Sequence, residues 1–258
     1  TGATVVLPIN IKTNSNAEKD SCFYEFLIDT GEEGDKTPVP LREGLIGYWN
    51  FDDGTVEDSS GNNNDGTING SVFVAGKYGQ ALSFYGDDDY VKIDNIIVSN
   101  PTSLTISSWF RKKGNGSTYE CVLHQGTTST IGSSSYWVGV DINDYFTATI
   151  GANTGVGWNA GQTDIRPILG EWNHLLASWD GDIVRVYING EYIKQYALTT
   201  YNSITTPTRI GASSDGSNYQ FNGSIDEVRI YNRSLSDNEV KAIYTGYDSS
   251  IQLTVNVE

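Results

Sequence analysis

Residues 221–244 read FNGSIDEVRIYNRSLSDNEVKAIY. From Ile225 to Tyr231 the side chains alternate, with Asp226, Val228 and Ile230 on one side and Ile225, Glu227, Arg229 and Tyr231 on the other. A period of two marks a strand with one buried face. Ser236 then stands three residues before Glu239, the spacing of a capping box. Val240, Ile243 and Tyr244 follow at helical spacing and Gly246 suits a helix end, so a helix of about two turns is expected to pack one side down. Asp226 is the discordant residue, because a carboxylate on the face of Val228 and Ile230 needs hydrogen bonds or a cation. Two readings stand: bonds from backbone amides of the preceding turn, or ligation of calcium.

Outward from this stretch, alternation continues through much of the chain. Leu45–Phe51, Ala81–Tyr85, Tyr90–Ile93, Leu104–Phe110, Glu120–His124, Tyr136–Ile142, Tyr145–Ile150, Trp172–Trp179, Ile183–Ile188 and Arg209–Ala212 read as strands. Asn189-Gly190 is a two-residue hairpin signal leading into Glu191–Tyr196. Between the first two strands a turn-rich region runs to Ser71, with Asp-Gly at 53–54 and 65–66 and Asn-Gly at 69–70. Residues 1–43 form a separate arm. Val5, Leu7, Ile9 and Ile11 alternate, then Cys22, Tyr24, Phe26 and Ile28, before the linker-like GEEGDKTPVP of Gly31–Pro40. At the other end, in residues 248–258, Ile251, Leu253, Val255 and Val257 alternate with polar neighbours. These terminal strands are expected to pair with each other beside the main domain, or with other copies of the chain by β-strand pairing.

Composition narrows the function. The chain has 258 residues and a net charge of −16, spread along its length, which repels nucleic acid and anionic membranes. No apolar run is long enough for a membrane span, and the lack of any methionine points to a processed or excised chain. Cys22 and Cys121 make no metal-site spacing; in an extracellular protein they are expected to form one disulfide tying the arm to the main domain, two buried thiols being the alternative. Asn69, Asn115, Asn222 and Asn232 are glycosylation sequons and fit a secreted or cell-surface protein.

Several blocks occur in an order that resembles the laminin-G-like, concanavalin-A-like jelly-roll family: LIGYWNFDDG at 45–54, DSSGNNNDGTING at 58–70, GKYGQALSFYGDDDYVKI at 76–93, LTISSWF at 104–110, EWNHLLASWDGDIVRVYING at 171–190, and the opening stretch. The resemblance covers about residues 44–247. It implies an all-β, two-sheet antiparallel jelly-roll sandwich, to which the terminal strands add a small accessory sheet. It also implies one structural calcium at the rim between first and last strands, on Asp52 and Asp226, with Asp53 the next candidate. The turn Asp87–Asp89 concentrates charge but reads as solvated.

Catalytic signatures are lacking. No GxSxG, HExxH, phosphate loop or dinucleotide fingerprint is present, and His124 and His174 lie in strands, the latter reading as structural. The one-face carboxylate strand of related glycosidases is missing too, so no enzyme is expected. For ligand binding the candidate is Trp158, in the polar, glycine-rich GANTGVGWNAGQ of 151–162, as a surface that stacks on a glycan; the alternative is a plug on the sheet. The expected function is a non-enzymatic extracellular surface or filament subunit, pilus-like, with an adhesive jelly roll. The alternative is a carbohydrate-binding or adhesion module of a larger secreted protein or glycoside hydrolase.

Overall fold

A computed structural model describes residues 39–94, 98, 100–116, 118–126, 134–151, 159–201, 204, 206–213, 216 and 218–246. The chain divides into two units, Thr1–Asp35 and Lys36–Glu258, and the first lies outside the described residues, as do the expected terminal strands.

The second unit is built almost entirely of strands. One helical turn, α1 (Val39–Arg42), precedes β1 (Leu45–Trp49), β2 (Gly66–Asn69), β3 (Val72–Ala75), β4 (Gln80–Tyr85), β5 (Tyr90–Ile93), β6 (Leu104–Lys112) and β7 (Glu120–Gly126). Then come β8 (Ser134–Val140), β9 (Phe146–Ile150), β10 (Asn173–Trp179), β11 (Ile183–Ile188), β12 (Glu191–Ala197), β13 (Thr208–Ile210), β14 (Asn222–Tyr231) and helix α2 (Asp237–Thr245). An eight-stranded sheet runs β12-β11-β10-β6-β14-β4-β3, with β1 also on β14. A six-stranded sheet runs β2-β5-β13-β7-β8-β9. Every ladder is antiparallel. The expected two-sheet sandwich is therefore what forms.

The inner faces meet in one core, with Trp49, Phe84, Phe110, Tyr136, Phe146 and Phe221 among its largest members. Each such side chain taken from water stabilises by about 1.5–3 kcal/mol. A second cluster lies on the outer face of the eight-stranded sheet, where Val240, Ala242 and Ile243 of α2 cover Tyr48, Leu176, Tyr187 and Tyr231. Leu41 of α1 joins it, which is why the end of the expected linker coils into a helical turn.

Helix α2 forms as its sequence predicts. The Ser236 Oγ accepts from the Glu239 amide, the Glu239 carboxylate accepts from the Ser236 amide, and Gly246 closes the helix at φ 75°. Two hydroxyls of the sheet hold the loop before it: the Leu235 amide donates to Ser178 Oγ (3.0 Å) and Thr105 Oγ1 (3.2 Å). The β11–β12 hairpin turns at Asn189 (φ 50°) and Gly190 (φ 78°), as expected.

The decisive strand differs from its predicted alternation. Ile225 pairs with Phe110 and Asp226 with Trp109, then the register slips before Arg229 pairs with Ser107. Glu227 takes φ 54°, forming a bulge. The extra residue shifts the phase, so Ile225, Val228 and Ile230 all enter the core. Asp226 stands with Trp109 on the other face, not with Val228 and Ile230. Strands β2 and β3, short and flanked by Gly and Asn, lie where or just after the sequence showed turns. The first strand stops before Phe51, which has φ 60°.

Candidate functional site

The carboxylates singled out in the sequence meet at the turn between β3 and β4, Gly76–Gly79. Asp226 Oδ2 accepts from the amides of Lys77 (2.8 Å) and Tyr78 (3.2 Å), and its Oδ1 from the Glu227 amide (2.7 Å). Asp52 Oδ1 accepts from the Gln80 amide (2.9 Å), and the Gln80 side chain donates to the Asp52 carbonyl (2.9 Å). The loop after the first strand and the last strand itself thus grip the two ends of one turn. The amides belong to this distant hairpin, a partnership no local pattern reveals. Burial, and next the neighbouring Glu227, push the Asp226 carboxyl up to about 8 against the pull of these amides. Asp53 turns away, its Oδ1 accepting from the amide (3.0 Å) and hydroxyl (2.7 Å) of Thr55.

The glycines of this turn let oxygens approach it closely. A Cβ on Gly76 would lie 2.6 Å from Asp226 Oδ2 and 2.6 Å from the Gln80 carbonyl oxygen, with the Tyr78 carbonyl oxygen also pressing on it. A Cβ on Gly79 would collide with Asp52 Oδ1. Only glycine fits at either position, and the carboxylate and carbonyl oxygens packed against them are the ligand types calcium takes. Asp226 with the carbonyls of Tyr78 and Gln80 at Gly76, and Asp52 at Gly79, are the groups that would hold such an ion.

Behind the bulge lies a buried charge network that sequence reasoning missed. The Tyr48 hydroxyl lies 3.1 and 3.0 Å from the two Glu227 oxygens. Arg229 Nη2 donates to the Tyr48 hydroxyl (2.9 Å) and bridges to Glu227 Oε2, while its guanidinium lies 4.2 Å over the Tyr48 ring. Burial drives the Tyr48 phenol far up, and Glu227 holds Arg229 charged despite burial. Next to it His174 is fully buried, its Nε2 2.8 Å from Ser107 Oγ, with Trp109 and Tyr244 against its ring. Burial, then the Arg229 and Lys77 cations, push it down to about 3, so it is a neutral structural residue.

A carboxylate pair also occurs at the end of β6. Lys112, fully buried, lies 2.7 Å from Glu120 Oε1 and 3.0 Å from Asp144 Oδ1. Both carboxylates neutralise one lysine in a closed space and bond further amides, of Asn222 and Gly116. Both are buried, whereas glycoside hydrolysis requires a carboxyl pair placed either side of a bound sugar.

On the outer face of the six-stranded sheet, Cys121 and Trp137 pack together with Tyr119 and Tyr219. Cys121 is a buried free thiol in this structure, and Cys22, its expected disulfide partner, lies outside the described residues. The Cys121 side chain is enclosed by these rings, in an environment that suits the alternative of a buried thiol. Trp158 lies outside the described residues. Past it, Gln162, Thr163, Asp164, Ile193 and Lys194 line an open cleft of about 370 Å³. All four sequon asparagines, Asn69, Asn115, Asn222 and Asn232, are exposed. The oxygens of Asp87, Asp88 and Asp89 lie within 4.8 Å of one another. Asp87 and Asp88 are exposed, in line with the solvated reading, whereas Asp89 is buried and accepts from the Tyr85 amide (2.8 Å).

The family model described as the concanavalin A-like lectin/glucanases superfamily matches residues 85–241. The chain belongs to this superfamily. No curated protein sequence matches it. Among solved structures, domain 4 of an extracellular arabinanase from Geobacillus stearothermophilus, in complex with arabinotriose, is similar with a TM-score of 0.61 at 21% identity; the match covers 78% of this chain and 98% of that domain. Trypanosoma rangeli sialidase is similar with a TM-score of 0.60 at 17% identity over 79% of this chain, which spans only 33% of the sialidase. The binding domain of Paraclostridial mosquitocidal protein 1 gives 0.58 at 17% identity, covering 80% of this chain and 53% of that one. At these identities the likeness is one of fold.

Proposed function

We propose that this concanavalin A-like sandwich is a non-enzymatic carbohydrate-binding module of an extracellular protein, stabilised by one calcium ion at the Asp52–Asp226 rim. The observation that carries the reading is the match to almost the whole of a domain held in complex with arabinotriose. That match takes in 98% of the sugar-bound domain. The enclosed Lys112–Glu120–Asp144 group supports a non-catalytic role, since the carboxylates are spent on a buried lysine. Exposed sequons support an extracellular setting.

The test is a glycan array that includes arabino-oligosaccharides and sialosides, probed with the full chain and with Trp158→Ala. Binding of a defined glycan class, weakened by the substitution, is expected. No binding to any glycan overturns the proposal; equal binding by both chains removes Trp158 from it. Polymerisation into a pilus-like filament is the second reading, favoured by the clean alternation of Ile251–Val257. Electron microscopy of the full chain beside one lacking 251–258 decides it: fibres lost on truncation support it, and discrete particles in both overturn it.

A further inference from the structure

Open sheets have edges, and edges of unpaired amides and carbonyls invite another strand. This sandwich has five: β12, β3 and β1 in one sheet, β2 and β9 in the other. Strand β1 is covered by the loop after it, because the Ser59 amide donates to the Tyr48 carbonyl (2.8 Å) and the Tyr48 amide to Asp58 Oδ1 (2.9 Å). Strand β9 is covered, because the Phe146 amide donates to the Ile165 carbonyl (2.9 Å) and the Thr163 amide to the Phe146 carbonyl (2.9 Å). Strand β12 carries Glu191 and Lys194, charges that discourage pairing. Strand β2 is held to the preceding loop by the Gly66 amide, which donates to the Val56 carbonyl (2.8 Å).

Strand β3 has no such protection. Its sequence is VFVA, without charge, proline or bulge, and Val72 is 43% exposed. Among the described residues it pairs with β4 alone. The Gly76 amide donates to the Gly79 carbonyl across the turn (3.0 Å). Counting back from that bonded pair, the alternation of an antiparallel ladder aims the N–H and C=O groups of Ala75 and Phe73 away from β4.

The chain itself supplies a strand beside this edge. Helix α2 ends at Gly246, where a Cβ would lie 3.1 Å from the Tyr78 hydroxyl oxygen, against the turn that follows β3. Residues 247–250 reach about 14 Å when extended. Ile251, Leu253, Val255 and Val257 then alternate with Gln252, Thr254, Asn256 and Glu258, the strongest amphipathic strand pattern in the sequence. A segment starting at the Ala75 end of β3 and running towards Val72 is antiparallel to it and needs no crossover.

We infer that residues 251–257 add to the free edge of β3 as an antiparallel strand of the same chain. They extend the eight-stranded sheet by one strand and seal its uncharged edge. This assignment is independent of the carbohydrate reading, and it makes the segment part of the domain rather than a connector between copies.

Amide hydrogen exchange at Phe73 and Ala75, followed by NMR, tests it. Three chains are compared at two concentrations: the full chain, a chain lacking 251–258, and the full chain with Leu253→Asp and Val255→Asp. Light scattering reports the mass of each. In the full chain both amides are expected to exchange about tenfold more slowly than in the other two, at either concentration and with a monomer's mass. Equal exchange in the full chain and the doubly substituted chain overturns the pairing, even where the truncated chain fails to fold. Protection that grows with concentration and accompanies dimers or fibres overturns the same-chain assignment in favour of exchange between copies.

Discussion

Replacing Arg229 with methionine probes the network that the β14 bulge creates. In the native protein the side chains of Arg229 and Glu227 are 10% and 5% exposed. Removing the guanidinium leaves Glu227 with the Tyr48 hydroxyl as its remaining side-chain donor. Breaking a buried pair from one side costs about 3–5 kcal/mol, because the surviving charge stays desolvated. Tyr48→Phe removes two bonds to charged groups, one donated to Glu227 and one accepted from Arg229, and is expected to cost at least about 1.5–3 kcal/mol. The double variant Glu227→Leu/Arg229→Met removes both charges together. Nε and Nη1 of Arg229 find no partner in the native network, so its desolvation is incompletely offset. The double variant should therefore lie within about 1–2 kcal/mol of the native protein, well above Arg229→Met. Urea unfolding at neutral pH reads all four chains, with an unchanged slope required for the comparison. A cost below about 1 kcal/mol for Arg229→Met would mean a solvated pair, and equal costs for Arg229→Met and the double variant would mean that the surviving Glu227 charge carries no penalty; either refutes the reasoning.

His174 should make the protein acid-sensitive: held down to about 3 when folded, it takes up its proton first in the unfolded chain, so its contribution is intact above about pH 6.5 and is lost as pH falls from there towards 3. Between pH 7 and 5 the native protein should lose about 2 kcal/mol more than His174→Gln; parallel curves would show the imidazole to be solvated. In the calcium-free protein Asp226 has the opposite sign, since a carboxyl raised to about 8 adds stability that is full below about pH 4 and fades as pH rises through 8. Ser236→Ala should cost about 1 kcal/mol by removing the α2 cap over Tyr48, Tyr187 and Tyr231, and an unchanged urea midpoint would discount the cap. Calcium should raise the melting temperature, and Asp226→Ala should abolish the rise; a melting curve indifferent to calcium and to chelator would remove the ion from the rim.

Local sequence determined those features whose causes are local. Alternation in Leu104–Phe110 and Ile183–Ile188 places strands because inner and outer side chains must repeat every second residue. The α2 cap needs only Ser236, Glu239 and Gly246, and the β11–β12 turn only Asn189 and Gly190, since each interaction spans a few bonds. Tertiary structure decided the rest. Nothing near Asp226 in sequence announces that Lys77 and Tyr78 hold it, because those amides come from a hairpin far along the chain. The positive φ of Glu227 is a price set by the sheet: an extra residue must be accommodated so that Ile225 and Val228 both reach the core while Arg229 meets Tyr48. Strands as short as β2 and β3 carry too little pattern to declare themselves, and exist because β5 and β4 offer them ladders. Cys121, legible as half of a crosslink, is enclosed by its sequence neighbour Tyr119 and by Trp137 and Tyr219, which the fold brings to it. Periodicity reports which way a side chain points, but only the folded sheet fixes what it meets there.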